Sequence, residues 1–381
     1  MHAAEPDLLE FIRETILRKG PVTFAWFMEQ ALYHPQHGYY SSGRAAVGRG
    51  GDYFTSVSVG PLFGRLLAAQ FAEMWNLVDR PARFTVVEQG AHDGEFAKDV
   101  LMAARDTDPQ FFEAIDYTIV EPFPVWQTRQ EEKLVEFACK VGWQNSVAHL
   151  ASFRGVHFSN ELIDALPVHL VRWTGSEWLE RHVSTVDEKL TLEDLPISNE
   201  RLRDELGDIP PQLPAGYELE AGLAALDWIR TLAPKLAAGW ILAVDYGYTR
   251  DELYAPSRCC GTIRCRAKHQ VLSSPLLHIG EADITAHVDW TRLAEQAKAC
   301  GLTLQGLADQ HHFITGLLAS DMISGLLTCD EAKTKRAVQT LLHPGFLGMR
   351  FQFLALAKNV PPSAQLSGMR FSRQISGSAR L

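Results

Sequence analysis

Short, continuous runs of apolar residues alternate with amphipathic stretches along the middle of the chain. Four runs have the length of one strand: 84–88 (FTVVE), 117–121 (YTIVE), 156–159 (VHFS) and 240–245 (WILAVD). Apolar positions at helical spacing precede or follow them. Strands that are apolar at nearly every position are covered on both faces, as in a parallel sheet with crossover helices. The pattern predicts a doubly wound α/β fold.

The first 60 residues have a different pattern. Apolar residues at 8, 9, 12 and 16 form one stripe of a helix, and Gly20 offers a stop. A second short helix is predicted after Thr23, which can act as its N-cap. The stretch that follows is rich in Gly, Ser and aromatic residues and predicts a loop. We therefore expect an N-terminal helical cap with a loop over residues 1–60.

Two segments interrupt the alternation of strands and helices in the predicted core, which spans 61–358. The first, at about 167–220, contains two alternating strands, 169–173 and 177–183, joined by a turn at Gly175. The second lies at about 248–286. Insertions in the loops of an α/β sheet commonly carry substrate recognition. Residues 359–381 contain no acidic residue, and we expect them to form a mobile tail.

Composition excludes several classes of protein. The 381 residues are 46% hydrophobic, which is ample for a packed core, and their net charge of −10 argues against a dedicated nucleic-acid binder. No apolar stretch approaches the roughly 18 residues that span a bilayer. We expect a soluble globular protein with no membrane span.

The six cysteines are too scattered for a disulfide framework, which favours a reducing compartment, the cytoplasm. Cys260, Cys265 and His269 have the chemistry of metal ligands. No second pair of ligands completes a zinc set nearby, so we expect no metal site.

A glycine turn follows the first predicted strand. The strand ends at Glu88, the turn contains Gly90 and Gly94, and a helix begins near residue 95. In doubly wound sheets, ligands lie beyond the carboxyl ends of the strands, where a residue without Cβ allows close approach. His92 occupies the place of the central glycine of a dinucleotide fingerprint, and Asp93 adds negative charge. The turn therefore predicts a ligand without a phosphate.

A second acidic residue, Glu121, closes the next strand, and Pro122 fixes the turn after it. A carboxylate at this place can accept hydrogen bonds from both hydroxyls of a ribose. The alternative is an exposed acid at a strand end. Two acids that close consecutive strands beside a glycine turn favour a cofactor site.

Further polar residues follow the third run, where Asn160 offers a donor and an acceptor and Glu161 and Asp164 offer carboxylates. The carboxylates could orient a cationic substrate or accept a proton. Alternatively, Asp164 caps a local turn and Glu161 is simply exposed. His287 is a weaker candidate, beside Asp289, which is explained as a helix cap.

Taken together, these motifs resemble the MidA family of S-adenosylmethionine-dependent methyltransferases, which includes a mitochondrial complex I assembly factor that methylates a protein arginine. The resemblance is carried by blocks in family order, namely 31–43 (ALYHPQHGYYSSG), 51–56 (GDYFTS), 60–68 (GPLFGRLLA), 86–94 (VVEQGAHDG), 119–122 (IVEP), 159–169 (SNELIDALPVH), 243–247 (AVDYG) and 280–290 (GEADITAHVDW).

This resemblance implies a class I methyltransferase fold, which is Rossmann-like, with S-adenosylmethionine as cofactor. The predicted cofactor contacts are, from the residues above, Glu88, Gly90, Gly94, Glu121, Pro122 and Asn160, and, from the resemblance alone, Asp52, Thr55 and Ser56, which would close over the cofactor.

The methyl acceptor implied by the resemblance is an arginine of a protein. Glu161 and Asp164 would then hold the guanidinium, and His287 would accept its proton. The family usually reads Pro-Gly-x where this chain has Ala91-His92-Asp93. This departure leaves open an alternative function, that of an assembly factor that binds the cofactor and whose methyl transfer is vestigial. A nicotinamide dehydrogenase would share the sheet and the ribose acid, but the missing glycine speaks against it. The oligomeric state is not predicted.

Overall fold

The computed structural model describes residues 7–44, 56–207, 209, 213–267, 270–320, 331–373 and 375. The chain falls into two compact units. We call 55–162, 228–247 and 290–381 the core unit, and 1–54, 163–227 and 248–289 the insertion unit. Asp52 and Thr55, two of the predicted cofactor contacts, lie outside the described residues, as does His269.

The helices in the described part of the chain are α1 Leu8–Lys19, α2 Phe24–Tyr33, α3 Leu62–Leu77, α4 Glu95–Thr107, α5 Pro109–Ala114, α6 Pro124–Lys133, α7 Glu200–Gly207, α8 Leu223–Leu232, α9 Arg250–Leu253, α10 Trp290–Ala299, α11 Gln310–Leu318 and α12 Glu331–Leu342. None of the described helices combines the length and the apolar character needed to cross a bilayer.

The strands are β1 Val22–Thr23, β2 Phe84–Gln89, β3 Ile115–Val120, β4 Val141–Gln144, β5 Phe153–Asn160, β6 His169–Trp173, β7 Trp178–Val186, β8 Lys189–Pro196, β9 Glu218–Ala221, β10 Leu236–Tyr248, β11 Arg264–Ala267, β12 Gln270–Val271, β13 Asp283–Thr285, β14 Val288–Asp289, β15 Thr303–Asp309 and β16 Phe351–Lys358.

The sheet of the core unit has the strand order β4–β3–β2–β5–β10–β16–β15. Its strands from β4 to β10 are parallel, and β16 runs antiparallel between β10 and β15. The chain moves outward from β2 to β3 and β4, and then returns to place β5 on the other side of β2. The doubly wound α/β fold is therefore confirmed, with its switch point between β2 and β5.

Aromatic packing fixes the start of α4 against the sheet. The rings of Phe96 on α4 and Phe158 on β5 are stacked with centroids 4.5 Å apart, and Phe71 from α3 contacts Phe158 edge-on. All three side chains are buried. This packing holds the glycine turn that precedes α4 at the ends of β2 and β5.

The insertion unit is built on antiparallel pairs. Its larger sheet has the order β1–β7–β6–β9, with β8 paired to β7, and its smaller sheet has the order β12–β11–β13. The predicted hairpin is confirmed, because β6 and β7 pair antiparallel on either side of Gly175, with Val171 opposite Glu180 and Trp173 opposite Trp178. The N-terminal residues and the two insertions belong to one unit, since β1 pairs with β7. From the sequence, these three segments were predicted as separate additions to the core.

The segment after β16 differs from the predicted mobile tail over its described residues, 359–373 and 375. The backbone N–H of Ser367 donates to Glu73 on α3 at 2.9 Å, and that of Gly368 donates to Gln70 at 3.1 Å. Leu366 and Met369 are buried. Two apolar side chains and two acceptors on α3 therefore fasten a segment whose composition alone suggested mobility.

Candidate active site

The carboxyl ends of β2 and β5 lie side by side at the switch point. Gln89 of β2 is in register with Ser159 of β5, so Gly90 and Asn160 follow on neighbouring strands. A crevice beyond such a switch point is where doubly wound sheets bind their ligands. The predicted residues of the core unit from Glu88 to Asn160 are brought to this edge.

Glu88 is a buried carboxyl group at the end of β2. Its Oε2 accepts a hydrogen bond of 2.7 Å from the hydroxyl of Tyr117. Burial raises the pKa of Glu88 to about 8, although the Tyr117 hydrogen bond acts in the opposite direction. The carboxyl group is therefore largely protonated near neutral pH unless a cation is bound nearby.

The turn after β2 uses left-handed backbone at three positions, Gly90, His92 and Gly94, with φ of 82°, 48° and 83°. A Cβ on Gly94 would lie 3.4 Å from side-chain atoms of Gln130 and Leu134 on or next to α6. Gly94 therefore acts in helix packing. A Cβ on Gly90, directly after β2, would lie 3.4 Å from the side chain of Leu162. Close approach of a ligand to the Gly90 backbone stays a prediction.

The structure shows how the turn accommodates His92 and Asp93. The His92 ring lies against Trp126, with centroids 4.4 Å apart. Asp93 accepts a hydrogen bond of 2.6 Å from Lys133, which also contacts Glu95. Burial opposes ionisation of Asp93, but the bonds from His92 and Lys133 hold its pKa well below the ordinary value. The added negative charge is thus compensated locally.

Glu121 directly follows β3 and has a buried carboxyl group. Oε1 accepts from the backbone N–H of Phe123 at 2.9 Å, across the turn that Pro122 makes, and Oε2 accepts from Gln130 at 3.0 Å. Burial raises the pKa of Glu121 to about 7. Each carboxylate oxygen keeps further acceptor capacity for a hydroxyl group.

Gln130 on α6 is a residue that sequence reasoning missed. Its Nε2 donates to the carbonyl of His92 at 2.7 Å as well as to Glu121, and its Oε1 accepts from Trp143 at 3.0 Å. Gln130 is fully buried and thereby ties the glycine turn to the acid of the next strand. A glutamine in a polar helix gives no signal of this role.

Asn160 is the last residue of β5, and Glu161 directly follows it. Glu161 has φ of 53°, an uncommon conformation for a residue with a side chain. Its N–H donates to the carbonyl of Val244 at 2.9 Å, and its Oε1 accepts from Asn160 Nδ2 at 2.9 Å. The Oδ1 atom of Asn160 is buried and has no hydrogen-bond partner among the described residues. It is an acceptor available to a ligand.

Asp245, in β10, is a second residue that the prediction missed. Its side chain is fully buried and accepts from the N–H of Leu162 at 3.1 Å and from that of Tyr246 at 2.8 Å. The bond to Leu162 fastens the turn in which Glu161 lies. Asp245 ends the run WILAVD, so the argument applied to Glu88 and Glu121 would have found it.

Asp164 and His287 belong to the insertion unit, whereas Glu161 belongs to the core unit. The carbonyl of Asp164 accepts from the N–H of Ala286 at 2.8 Å, which places Asp164 and His287 on neighbouring segments. Burial, with a contribution from Arg264 and Arg258, lowers the pKa of His287 to about 4. The imidazole is therefore neutral at physiological pH, and the same burial and neighbouring charges make it a weak base.

Ser56 has a structural partner. Its side chain is fully buried and its hydroxyl donates to Gln310 at 2.7 Å, within the core unit. Contact of Ser56 with a cofactor stays a prediction. The described His, Cys, Asp and Glu residues form no group of three or more that could hold a metal ion.

Comparison with known proteins gives this site a cofactor. A family model described as an S-adenosyl-L-methionine-dependent methyltransferase matches residues 66–308, more than half of the chain. A crystal structure from Burkholderia thailandensis with bound S-adenosyl-homocysteine, described as a methyl transferase, has a TM-score of 0.86 and 29% identity, covering 96% of this chain and 95% of that one. A native crystal structure of a protein of the same superfamily and from the same species has a TM-score of 0.84 and 27% identity, with the same coverage.

Curated relatives are similar over most of their length. The mitochondrial protein arginine methyltransferase NDUFAF7 homolog of Drosophila melanogaster is 26% identical over an alignment 385 positions long, which covers 93% of this chain and 85% of the relative. The human mitochondrial protein arginine methyltransferase NDUFAF7 is 25% identical over an alignment 403 positions long, which covers 96% of this chain and 86% of the relative.

The residues at the switch point fit S-adenosylmethionine. The free Oδ1 of Asn160 is an acceptor of the kind that an ammonium group requires, and Glu121 has acceptor capacity for ribose hydroxyls. Glu88 and Glu121 are acids that a cation would help to ionise. The cofactor is therefore assigned as S-adenosylmethionine in place of the nicotinamide cofactor considered from the sequence. The chain belongs to the MidA family of S-adenosylmethionine-dependent methyltransferases, and its cofactor is S-adenosylmethionine.

Proposed function

We propose that the chain methylates a nitrogen of a protein side chain, with arginine as the first candidate. The observation that carries the proposal is Glu161, whose carboxylate stands at the end of β5 on a left-handed backbone. Such a conformation costs on the order of 1–3 kcal/mol and is concentrated at functional sites. Further support comes from the fly and human relatives, which are named protein arginine methyltransferases.

A guanidinium group presents only hydrogen-bond donors, so its binding site must present acceptors. Asn160 donates a hydrogen bond of 2.9 Å to Oε1 of Glu161 and thereby restricts the rotamer of this carboxylate. A carboxylate in a fixed rotamer can orient a planar guanidinium better than a mobile one. Asp164 as a second carboxylate and His287 as the proton acceptor stay predictions from the sequence.

S-adenosylmethionine supplies an electrophilic methyl group when it is bound. The part that falls to the chain is alignment: Glu121 accepts hydroxyl donors, the Gly90 turn allows a close approach and Glu161 holds the acceptor nitrogen. Positioning of two reactants can contribute up to about 7–11 kcal/mol. The same alignment would be needed for a lysine, so the acceptor must be identified by experiment.

The test uses the full chain with S-adenosylmethionine carrying a labelled methyl group and a protein extract as acceptor. Acid hydrolysis of the labelled proteins, followed by mass spectrometry, separates methylarginine from methyllysine. We expect label in methylarginine. Label confined to methyllysine, or to small molecules, would contradict the arginine proposal and leave the family assignment intact.

An assembly factor that binds the cofactor with vestigial methyl transfer is the second candidate. It is motivated by Ala91, His92 and Asp93, which replace the residues usual in the family. The pairing of Asp93 with Lys133 weakens this motive, since the extra charge is neutralised. Tight binding of S-adenosylmethionine with no labelled acceptor in any extract would favour this candidate.

We also propose that the protein acts in the cytoplasm. The cysteines that the structure describes are free thiols, and three of them, Cys139, Cys259 and Cys260, are exposed. Exposed thiols are typical of a reducing compartment. Fractionation of cells that express the tagged full chain would test this.

A further inference from the structure

Two adjacent cysteines lie on the surface of the insertion unit. Cys259 and Cys260 are both exposed, and their Sγ atoms are 3.7 Å apart. The two side chains therefore already point to the same side of the chain. This pair has no part in the proposed methyl transfer.

The backbone around the pair is held in place on either side. The N–H of Glu218 on β9 donates to the carbonyl of Cys259 at 3.0 Å. Gly261 follows with φ of 65°, a left-handed conformation that favours glycine, and a Cβ at this position would lie 2.2 Å from Glu220 Oε1. The pair is thus presented by a tight turn.

We propose that Cys259 and Cys260 are a thiol modification site that forms a reversible disulfide between adjacent residues on reaction with a disulfide oxidant of the glutathione type. The thiolate of Cys259 attacks one sulfur of glutathione disulfide and releases one glutathione. The thiol of Cys260 then loses its proton to solvent, attacks the Cys259 sulfur and releases the second glutathione. Two protein thiols are oxidised by two electrons, and one glutathione disulfide is reduced to two thiols.

The short span between neighbouring residues makes this disulfide easy to reduce. Adjacent Cα atoms lie about 3.8 Å apart across a trans peptide, below the roughly 5.5 Å typical of disulfides. Strained, exposed disulfides have the higher reduction potentials found in labile and regulatory bonds. We therefore expect the pair to be a dithiol in a reducing compartment and to close only under oxidising conditions.

Closure of the ring acts on a neighbour of the candidate catalytic residue His287. The hydroxyl group of Thr262, two residues after Cys260, donates a hydrogen bond of 2.8 Å to Glu220. The same hydroxyl oxygen accepts a hydrogen bond of 3.0 Å from the backbone N–H of His287. The N–H groups of Thr262 and Ile263 also bind Glu220. A change in the turn at Gly261 is thereby passed to the backbone of His287.

The experiment equilibrates the full chain in buffers with graded ratios of reduced to oxidised glutathione, quenches with an alkylating agent and maps the peptide that contains the pair. As the share of oxidised glutathione increases, we expect this peptide to lose both alkyl groups and to carry no glutathione adduct, as a disulfide between the two cysteines requires. Added reductant should return the peptide to the doubly alkylated form. Cys259→Ser should show only a glutathione adduct at Cys260. The control Cys139→Ser, which removes an exposed thiol distant in sequence from the pair, should behave like the parent.

The proposal would be overturned by stable glutathione adducts on Cys259 or Cys260 of the parent. It would also be overturned if both cysteines stay fully alkylated at a glutathione ratio that already modifies Cys139. Methyl transfer, measured on the same samples, should fall at least fivefold in the oxidised parent and recover with reductant, with no fall in Cys259→Ser. Equal transfer by the oxidised and reduced parent would overturn the link to His287. Absence of transfer in every form would contradict the proposed function, whereas the peptide map still decides the disulfide.

Discussion

Gln130 donates a buried hydrogen bond of 3.0 Å to the carboxylate of Glu121, and the same amide nitrogen donates to the carbonyl of His92 in the glycine turn. One side chain on α6 therefore sets the positions of both elements that we expect to contact the cofactor.

Replacing Gln130 should weaken cofactor binding. Gln130→Ala removes a hydrogen bond to a charged group, which contributes about 1.5–3 kcal/mol, so we expect the Kd for S-adenosylmethionine to rise roughly tenfold to a hundredfold. Titration calorimetry measures this. The matched control is Gln127→Ala on the same helix, whose amide donates to the exposed Glu131. Equal Kd values in both variants would show that Gln130 does not act on the site.

Binding of the cofactor should depend on pH through Glu121. Burial raises the pKa of this group to about 7, and the ionised form is the better acceptor for hydroxyl groups. Below pH 7 the carboxyl group must lose a proton before binding, so the Kd should increase toward tenfold per unit as the pH falls. Glu121→Gln should bind more weakly than the parent above pH 7, approach the parent's Kd as the pH falls, and lack this slope. The same slope in both proteins would assign it to another group.

Glu88 should make the protein without cofactor less stable as the pH rises. Burial raises its pKa from 4.5 to about 8, so between these values the folded state holds a proton that the unfolded state has lost. The contribution to stability is complete below pH 4.5 and is lost as the pH rises toward 8, at up to about 1.4 kcal/mol per unit. Urea unfolding at several pH values measures it. Glu88→Gln, which can still accept from Tyr117, should remove this part of the decline.

Asp245 should be required for stability and for the turn that carries Glu161. Asp245→Ala leaves the N–H of Leu162 without its acceptor and removes a fully buried carboxyl group. We expect a loss of about 2–4 kcal/mol in the free energy of unfolding and a larger fall in kcat than in cofactor affinity. The control is Asp251→Asn on the exposed side of α9, which should change neither quantity. A purely structural Asp245 would lower stability and leave kcat per folded molecule unchanged.

The sheet could be predicted from the sequence because each buried strand is a continuous apolar run. The runs that contain Val86, Ile119, Val156 and Leu242 became β2, β3, β5 and β10. Their closing acids, Glu88 and Glu121, were found by the same reasoning. The short edge strand β4, with the sequence VGWQ, has no such signal and was missed.

Contacts between distant segments could not be predicted in this way. Nothing local to Gln130 indicates that it bonds to residues 9 and 38 positions away along the chain. The attachment of Ser367 to Glu73 is equally non-local, so the segment after β16 was expected to be mobile. The pairing of Lys133 with Asp93 also had to be seen in the structure before the charge of the turn could be judged.

The central claim is that the core unit binds S-adenosylmethionine and that Glu161 holds the acceptor for methyl transfer. The most direct test measures cofactor Kd and transfer rate in the parent, in Glu161→Gln and in Glu188→Gln, an exposed glutamate that also has a left-handed backbone, with φ of 62°. We predict that Glu161→Gln keeps the parent's Kd within about threefold and loses at least a hundredfold in rate, about 2.7 kcal/mol, with Glu188→Gln unchanged. A Glu161→Gln protein that transfers methyl groups at the parent's rate would contradict the account.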